Sequence, residues 1–186
     1  MARIAVDMDE VMADALGEHI HRYNKAFGTQ IERAHLHGKH LKEVIPAEHH
    51  RASHEIVHCE DFFAKLKVMD GAQEALEAMS KEHEIYIVTA AMEVPASLAP
   101  KYVWLQEHFP FISSMNYVFC GNKHVVQADY LIDDNARHFK LFGGEGILFD
   151  APHNKKVTGY KRVHNWHEAK ALFCTSESEQ KQACLT

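Results

Sequence analysis

Short apolar runs recur along the chain, and segments with apolar positions at helical spacing lie between them. A short apolar run with polar residues on either side is typical of a strand buried on both faces. Such runs predict strands at 4–6, 84–89, 117–120, 130–132 and 146–149. Apolar residues that recur every three or four positions predict helices near 12–27, 47–58, 71–82, 97–108, 137–142 and 166–173.

The order of these elements indicates the fold class. Strands alternate with helices along most of the chain, which is typical of a parallel sheet covered by helices on both faces. We therefore predict an α/β fold with a Rossmann-like, mostly parallel sheet. In such a sheet the carboxyl ends of the strands meet at one edge, where ligands bind.

The segment 29–60 differs from the rest of the chain because it is polar, rich in histidine and without the pattern of a buried strand. Pro46 is well placed to open the helix predicted after it. We interpret this region as part of a small helical cap inserted after the first strand. The predicted division is an α/β core at 1–14 and 71–174, a helical cap at 15–70 and a polar tail at 175–186.

Composition and charge exclude several classes of function. The 186 residues are 46% hydrophobic, which is enough for a core and too apolar for a disordered chain. The net charge is −6 and no basic stripe is present, so a nucleic-acid polymer is not an expected partner. No apolar stretch reaches the ~20 residues that span a bilayer, and acids interrupt the N-terminal apolar run where a signal peptide stays apolar. We expect a cytoplasmic protein without membrane contact.

The cysteines and histidines have simple interpretations. The four cysteines are widely spaced and form no CxxC pair, so reduced thiols are expected. They are Cys59, Cys120, Cys174 and Cys184. Seven of the sixteen histidines lie between 35 and 58 and could hold zinc, but no cysteine or acid completes a compact ligand set there. A solvated helical face rich in histidine is the favoured interpretation.

Polar side chains follow the predicted strands at the points where those strands end. They are Asp7, Asp9, Thr89, Lys123, Asp133 and Asp134. Because side chains alternate along a strand, Asp7 and Asp9 are expected to point the same way. Two such acids repel each other unless a cation or a shared proton relieves them, and Mg²⁺ prefers oxygen ligands. The sequence therefore predicts a crevice in which acids, a hydroxyl and a lysine meet.

This set of groups fits phosphoryl transfer, in which positioning and charge neutralisation do most of the work. A carboxylate can attack phosphorus, and a second can protonate the leaving oxygen. Each residue also has an ordinary structural explanation. An isolated Asp-x-Asp is usually a turn, Lys123 alone would be a surface charge, and Asp133 and Asp134 could cap a following helix. The occurrence of all of them at successive strand ends favours catalysis.

The same strand ends carry four motifs that resemble those of the haloacid dehalogenase superfamily, in the same order. They are DMDEVMAD (7–14), IVTAA (87–91), NKHVV (122–126) and LIDDNA (131–136). Other segments resemble the 5′(3′)-deoxyribonucleotidase family within it. They are Asp61-Phe62-Phe63, Asp70-Gly71-Ala72, EALEAM (74–79), Lys101-Tyr102-Val103-Trp104, QEHF (106–109), ILFDAPHN (147–154) and His164-Asn165-Trp166. The resemblance covers most of 3–173 and is weakest in 29–58.

The resemblance implies a Mg²⁺-dependent phosphatase that hydrolyses (deoxy)ribonucleoside monophosphates through an aspartyl phosphate. It implies that Asp7 is the nucleophile and a Mg²⁺ ligand. It also implies that Asp9 is the general acid and base, with its backbone carbonyl bound to the metal. Asp134 would be the third protein ligand, and Asp133 would orient the site. Members of the family often pair, so a homodimer is possible.

The resemblance also implies which residues bind the substrate. Thr89, a backbone N–H at Ala90 and Lys123 would bind the phosphoryl group. Phe62 and Phe63 would contact the nucleobase from the cap, although two adjacent aromatic residues also suit an apolar core. His153 and Asn154 follow a strand and suit either the crevice or a hydrogen-bonded loop.

The chain departs from the family pattern at three positions. Glu10 replaces a frequent glycine and adds a negative charge near the metal. Ala90 replaces a frequent serine and removes one phosphate-binding hydroxyl. Ala15 occupies a position where the animal enzymes carry an aromatic residue in the base pocket. The chemistry tolerates these changes, but the base preference cannot be carried over.

Three other functions compete with a nucleotidase. A phosphatase for another small metabolite would use the same motifs, with the two phenylalanines only packing the cap. A signalling receiver domain also uses acids, a threonine and a lysine. There, however, the acidic pair comes first in the chain, whereas here Asp133 and Asp134 come last. A non-catalytic binding protein is disfavoured, because every residue type that the chemistry needs is present.

Overall fold

The sheet has six strands, all parallel, and β1 lies inside it. The computed structural model describes residues 1–59 and 61–174. The strands are β1 (Arg3–Val6), β2 (Glu84–Thr89), β3 (Tyr117–Phe119), β4 (Tyr130–Asp133), β5 (Glu145–Phe149) and β6 (Lys161–Val163). Their order is β3-β2-β1-β4-β5-β6, so β1 pairs with β2 on one side and β4 on the other. The predicted α/β class with a Rossmann-like sheet is confirmed.

Five α-helices accompany the sheet. They are α1 (Ala15–Phe27), α2 (His50–Val57), α3 (Ala72–Glu82), α4 (Leu98–His108) and α5 (Trp166–Phe173). Most of them are amphipathic, and the buried side of α3 includes Ala75, Leu76 and Met79. None of the described helices is both long and apolar enough to cross a bilayer.

Side chains alternate between the two faces of the sheet, and each face has its own apolar cluster. On β1, Ile4 and Val6 belong to the larger cluster, which includes both buried tryptophans. Ala5 belongs to the smaller cluster, together with Leu131 and Leu148 from the neighbouring strands. Burial on both faces explains why the strands read as continuous apolar runs rather than as alternating patterns.

The helix predicted at 12–27 begins later than expected, at Ala15. Residues 8–13 instead form a tight turn, in which the backbone N–H groups of Met12 and Ala13 both donate to the carbonyl of Met8. Asp14 then caps the helix by accepting a hydrogen bond from the N–H of Gly17. Gly28 ends the helix with a positive φ of 64°, which glycine adopts at little cost.

Other predicted boundaries were wrong because the local signals were weak. The segment predicted as a helix at 137–142 contains only a 3₁₀ turn at Ala136–Phe139. The strand β6 was missed because its three residues carry two exposed or half-exposed basic side chains at the sheet edge. The helix predicted at 47–58 is a 3₁₀ turn at Ala47–His49 followed by α2.

The segment that precedes α2 packs on α1 rather than on the sheet. Ile20 and Tyr23 of α1 form a small apolar cluster with three residues of this segment, Leu36, Leu41 and Ile45. Within the described residues, the sheet takes no strand from the chain between β1 and β2. The division into a core and a 15–70 cap stays a prediction, and the predicted tail lies outside the described residues.

Candidate active site

The carboxyl ends of the central strands bring the predicted acids together. Asp7 follows β1 directly, and its backbone N–H donates to the carbonyl of Ile132 on β4 at 2.9 Å. Asp133 ends β4 and Asp134 follows it. All three carboxyl groups are buried, and one oxygen from each lies within 4.8 Å of the others. The structure therefore forms a compact aspartate cluster, which we define as Asp7, Asp133 and Asp134.

Lys123 lies against this cluster and neutralises part of its charge. Its Nζ atom lies 2.5 Å from Oδ1 of Asp7 and 2.6 Å from Oδ2 of Asp133. The side chain is almost fully buried. Burial alone would lower the pKa of Lys123, but the attraction and hydrogen bonds of Asp7 and Asp133 raise it above its usual value. Lys123 therefore carries its positive charge at neutral pH.

The remaining negative charge shifts the acids toward their neutral forms. Burial raises the pKa of Asp7 to about 6, against the opposing attraction of Lys123, and Asp133 adds repulsion. Burial also raises the pKa of Asp134 well above its usual value, and Asp133 and Asp7 raise it further. A divalent cation bound to these oxygens would reverse both shifts. The donor set consists only of carboxylate oxygens, which fits Mg²⁺.

Asp9 lies beside the aspartate cluster and has its own cation. Lys101 of α4 donates to Oδ2 of Asp9 at 2.5 Å and to Oγ1 of Thr89 at 3.1 Å. Lys101 therefore holds the Asp9 carboxylate and the hydroxyl at the end of β2 in one arrangement. The other oxygen of Asp9, Oδ1, is buried without a hydrogen-bond partner. This oxygen is therefore an acceptor without a partner among the residues that line the site.

A cavity of about 280 Å³ joins these groups. Its polar lining includes Asp7, Asp9, Lys101, Lys123 and Asp134. Ala90 also lines it, whereas Thr89, with 1% of its surface exposed, is joined to the lining through its hydrogen bond from Lys101. The structure thus brings the predicted catalytic, phosphate-binding and metal-binding residues to one place.

Phe62 and Phe63 line the same cavity but expose little surface to it. They are 1% and 4% exposed and pack edge to face with ring centroids 4.9 Å apart. The ammonium of Lys101 lies 4.6 Å from the Phe63 ring centroid, and Arg22 lies 5.4 Å from that of Phe62. The two rings therefore belong to the apolar core and to the cavity wall at once.

Sequence reasoning missed the part that α4 plays in this cavity. Val94, Ser97 and Lys101 line it at positions spaced by three and four residues, and Ser97 and Lys101 are buried. The signal was a serine directly before α4 and a lysine within it, four residues apart. They do not follow a strand, so the strand-end argument did not select them.

The loop that follows β5 is hydrogen-bonded to the backbone of Asp134. Asn154 donates to the backbone carbonyls of Asp134 and Phe149, at 2.8 and 2.7 Å. His153 places Nε2 3.2 Å from the same Asp134 carbonyl. Its ring stacks on that of His40 at 4.7 Å. These residues fix the position of the backbone at Asp134, the predicted third metal ligand.

Glu10, the departure from glycine, has a left-handed backbone with φ of 61°. Its carboxylate is buried and accepts a hydrogen bond from the N–H of Leu16 at 2.6 Å. Arg33 donates to both of its oxygens, at 3.0 and 3.1 Å, and also pairs with Asp14. The added negative charge is therefore matched by a cation from the segment before α2.

The histidine-rich segment forms no three-ligand site among the described residues, where the aspartate cluster is the one group of that kind. His54 and His58 are exposed, with their rings stacked at 4.0 Å. His49 instead packs on Phe27 and places Nδ1 2.7 Å from the Tyr23 hydroxyl. Cys59, Cys120 and Cys174 are unpaired, and Cys184 lies outside the described residues.

Comparison with known proteins agrees with the family resemblance. A family model described as "5' nucleotidase, deoxy (Pyrimidine), cytosolic type C protein" matches residues 1–178. The chain belongs to this deoxyribonucleotidase family. A Bacillus subtilis relative described as a 5'(3')-deoxyribonucleotidase is 37% identical over 165 residues, covering 89% of this chain and 94% of its own. A Staphylococcus aureus relative, described provisionally in the same words, is 45% identical over 170 residues. The match covers 91% of this chain and 94% of the relative.

Solved structures show the same fold at low sequence identity. A haloacid dehalogenase-like hydrolase from Streptococcus pneumoniae superposes with a TM-score of 0.62 at 12% identity, covering 93% of this chain and 98% of that one. A Bacillus subtilis hydrolase of the same type, described as bound to magnesium, has a TM-score of 0.57 at 14% identity, with 92% and 98% covered. The family model and the relatives confirm the predicted family, and these structures show that the fold is haloacid dehalogenase-like.

Proposed function

We propose that this deoxyribonucleotidase family member is a Mg²⁺-dependent phosphomonoesterase that hydrolyses (deoxy)ribonucleoside monophosphates through an aspartyl phosphate. The observation that carries the proposal is the meeting of a buried aspartate cluster, two lysines and the partly free carboxylate of Asp9 at one cavity. The family membership and the description of the Bacillus subtilis relative support a nucleotide substrate.

In the first step, an oxygen of the Asp7 carboxylate attacks phosphorus while the bond from phosphorus to the leaving oxygen breaks. Asp9 gives the leaving oxygen a proton from Oδ1, so this oxygen departs as an alcohol and Asp9 is left as the carboxylate that Lys101 pairs with. In the second step, Asp9 takes a proton from water as that water attacks phosphorus. The bond to Asp7 breaks, which returns the Asp7 carboxylate and releases inorganic phosphate.

Charge on the phosphoryl oxygens must be held during both steps. Lys123 is already in contact with Asp7 and can offer N–H groups to an oxygen of a phosphoryl group bound there. The Thr89 hydroxyl and the N–H of Ala90 lie at the end of the neighbouring strand and would bind the other oxygens. Lys101 keeps the Asp9 carboxylate turned toward the leaving group.

Asp7, Asp134 and the backbone carbonyl of Asp9 would hold Mg²⁺, with Asp133 fixed by Lys123 and by the N–H of Asn135. When bound, Mg²⁺ would neutralise phosphoryl oxygens and the excess charge of the cluster. Its removal by EDTA should abolish activity, and added Mg²⁺ should restore it. Binding can be measured separately, because Mg²⁺ should raise the melting temperature of wild type and not that of Asp134→Asn.

The decisive experiment is a panel of phosphate esters assayed with Mg²⁺. We expect kcat/KM for nucleoside monophosphates to exceed that for sugar phosphates and aryl phosphates, with many phosphates released per protein. Equal rates on all esters would contradict the nucleotide assignment and favour a general phosphatase. A single release per protein would contradict turnover.

A phosphatase for another small metabolite is the second candidate, and the burial of Phe62 and Phe63 favours it. Rings that are 1% and 4% exposed offer little area to a base. We propose that these rings nevertheless form one wall of the base pocket, because both line the cavity. Replacing either with alanine should raise KM for nucleotides more than for a small aryl phosphate, and equal effects would indicate packing alone.

Other features of this proposal concern the whole chain. We propose that residues 15–70 act as the cap over the cavity, since Leu16 and Val57 line it together with the aspartates. A homodimer and a cytoplasmic location stay predictions from the sequence. Analytical ultracentrifugation would measure the first, and cell fractionation the second.

A further inference from the structure

Two buried polar side-chain atoms in the described part of the chain have no hydrogen-bond partner. They are Oδ1 of Asp9 and Oγ of Ser97. A buried polar group without a partner is rare in folded proteins, because it has lost its water and gained nothing in return. Both residues line the same cavity. Asp9 is explained by its role with the leaving oxygen, but Ser97 has no role in the mechanism above.

Ser97 does not make the hydrogen bond that its position would normally give it. It directly precedes α4, where a serine usually accepts from the N–H of the second or third helical residue. The third helical residue here is Pro100, which has no N–H. Ser97 makes no side-chain capping bond at all, although its own N–H donates to Val94 at 2.8 Å. Its hydroxyl is thus left for a partner outside the helix.

The position of Ser97 indicates which part of a substrate it would contact. Lys101 lies one helical turn further along and holds Asp9, so Ser97 is on the side of the cavity where the leaving alcohol departs. Phosphoryl oxygens have other partners at Thr89, Ala90 and Lys123. The charged residues four positions before and after Ser97, Glu93 and Lys101, are already paired with Arg137 and Asp9. A neutral oxygen fits this place.

We propose that Ser97 is a specificity residue, whose hydroxyl hydrogen bonds a neutral oxygen of the leaving alcohol other than the scissile one. A furanose provides two such atoms in a 5′-phosphate, the ring oxygen O4′ and the hydroxyl O3′. A hydroxyl can donate to the first and can donate to or accept from the second. This inference rests on the proposed function and names the part of the nucleotide that Ser97 binds.

The test compares wild type and Ser97→Ala on three substrates with similar leaving groups. They are a deoxynucleoside 5′-monophosphate, its carbocyclic analogue with CH₂ in place of O4′, and its 2′,3′-dideoxy analogue without O3′. All three leaving groups are primary alcohols, so their demand on Asp9 is similar, and the wild-type rate on each substrate is the reference for the variant. We expect Ser97→Ala to lower kcat/KM about tenfold on the parent nucleotide, since a bound oxygen loses its partner.

The same loss should disappear on one analogue, the one that lacks the oxygen which Ser97 binds. Ser97→Thr keeps the hydroxyl and should stay within about threefold of wild type on the parent. Ser80→Ala is the matched control, because it removes a serine hydroxyl on α3 that bonds Glu77 away from the cavity. If Ser97→Ala does not fold, Ser97→Cys, with its weak S–H donor, replaces it in the same comparison.

An equal loss on all three substrates would overturn the proposal, since Ser97 would then act through Asp9 or a water. No loss on the parent would also overturn it. The proposed function is tested separately by wild type alone. Failure of wild type to hydrolyse the parent nucleotide would reject that function, whereas wild-type turnover without a Ser97 effect would reject only this inference.

Discussion

Charge balance at single residues favours a divalent cation at the site. The aspartate cluster presents three carboxyl groups, and Lys123 supplies one positive charge against them. Asp9 is balanced separately by Lys101. If all three acids of the cluster are ionised, two negative charges remain, which a divalent ion would cancel. This balance is a physical reason for Mg²⁺ that is independent of any family likeness.

Asp7→Asn should reduce phosphate release at least about a thousandfold, because the amide removes the nucleophile and a metal ligand together. The fold should persist, since Lys123 keeps Asp133 as a partner. Steady-state phosphate release and thermal unfolding measure the two effects. Asp70→Asn, which changes a carboxylate outside the cavity, is the control. Substantial residual turnover by Asp7→Asn would contradict covalent catalysis.

The pH dependence of stability should reveal the raised pKa of Asp7. Its pKa is raised from 3.8 to about 6 in the folded protein, mainly by burial. Such a group favours folding fully below the unfolded pKa, and that contribution is lost as pH rises through the folded pKa. Between pH 4 and 6, metal-free wild type should therefore lose up to about 3 kcal/mol of unfolding free energy relative to Asp7→Asn.

Urea unfolding of both proteins in EDTA, at several pH values, measures that difference. The comparison with Asp7→Asn is needed because other groups titrate in the opposite sense. Burial lowers the pKa of His138 to about 4, so that side chain removes stability as pH falls. A difference that is independent of pH would mean that Asp7 ionises normally.

Lys101 should matter most for poor leaving groups. Lys101→Met frees the Asp9 carboxylate, so we expect kcat for nucleotides to fall about a hundredfold. The fall should be smaller for p-nitrophenyl phosphate, because its phenolate departs without a proton. Lys81→Met, on the exposed side of α3, is the control. Equal losses on both substrates would indicate that Lys101 serves the phosphoryl group or the fold instead.

At the scale of elements, the ion pair between Glu10 and Arg33 joins the turn after β1 to the segment before α2. Arg33 bonds both oxygens of Glu10, whose carboxylate is buried next to the catalytic residues. Removing the cation leaves that charge unpaired, which is costly for a buried group. The pair therefore fixes how this segment approaches the cavity.

Arg33→Ala should lower the free energy of unfolding by about 2 kcal/mol, less than for a fully buried pair because the Arg33 side chain is 37% exposed. The double variant Glu10→Gly with Arg33→Ala should recover most of this loss. Glycine accepts the positive φ without strain and leaves no buried charge. Urea unfolding of the single and double variants measures the coupling. If the loss in the double variant equals the sum of the losses in the two single variants, the coupling between Glu10 and Arg33 is contradicted.

At the scale of the whole molecule, the sheet explains how much the sequence could predict. Strands buried on both faces are apolar throughout, so β1, β2 and β4 could be located, together with the polar residues that end them. The sequence alone could then assign Thr89, Lys123 and Asp134 to the carboxyl edge of the sheet, before any distance between them was measured. The predictions that failed concern β6 and the turn at Ala136–Phe139. Both segments are short, and their residues have only a weak preference for strand or helix.

Contacts between distant elements could not be predicted in the same way. Lys101 meets Asp9 across 92 positions of sequence, and Trp166 donates to the carbonyl of Val11 across 155. Such pairs depend on how helices lie on the sheet, and no local pattern encodes that. The orphan hydroxyl of Ser97 is of the same kind, since its lack of a partner is a property of the packed structure.

The Glu10–Arg33 pair also constrains the order in which this sequence can change. If Glu10 is replaced first, Arg33 still has Asp14 as a partner and part of its side chain in water. If Arg33 is replaced first, the buried carboxylate of Glu10 loses its cation while it still repels Asp134. A lineage that moves between the glycine and glutamate forms should therefore gain the arginine before the acid, and lose it only afterwards.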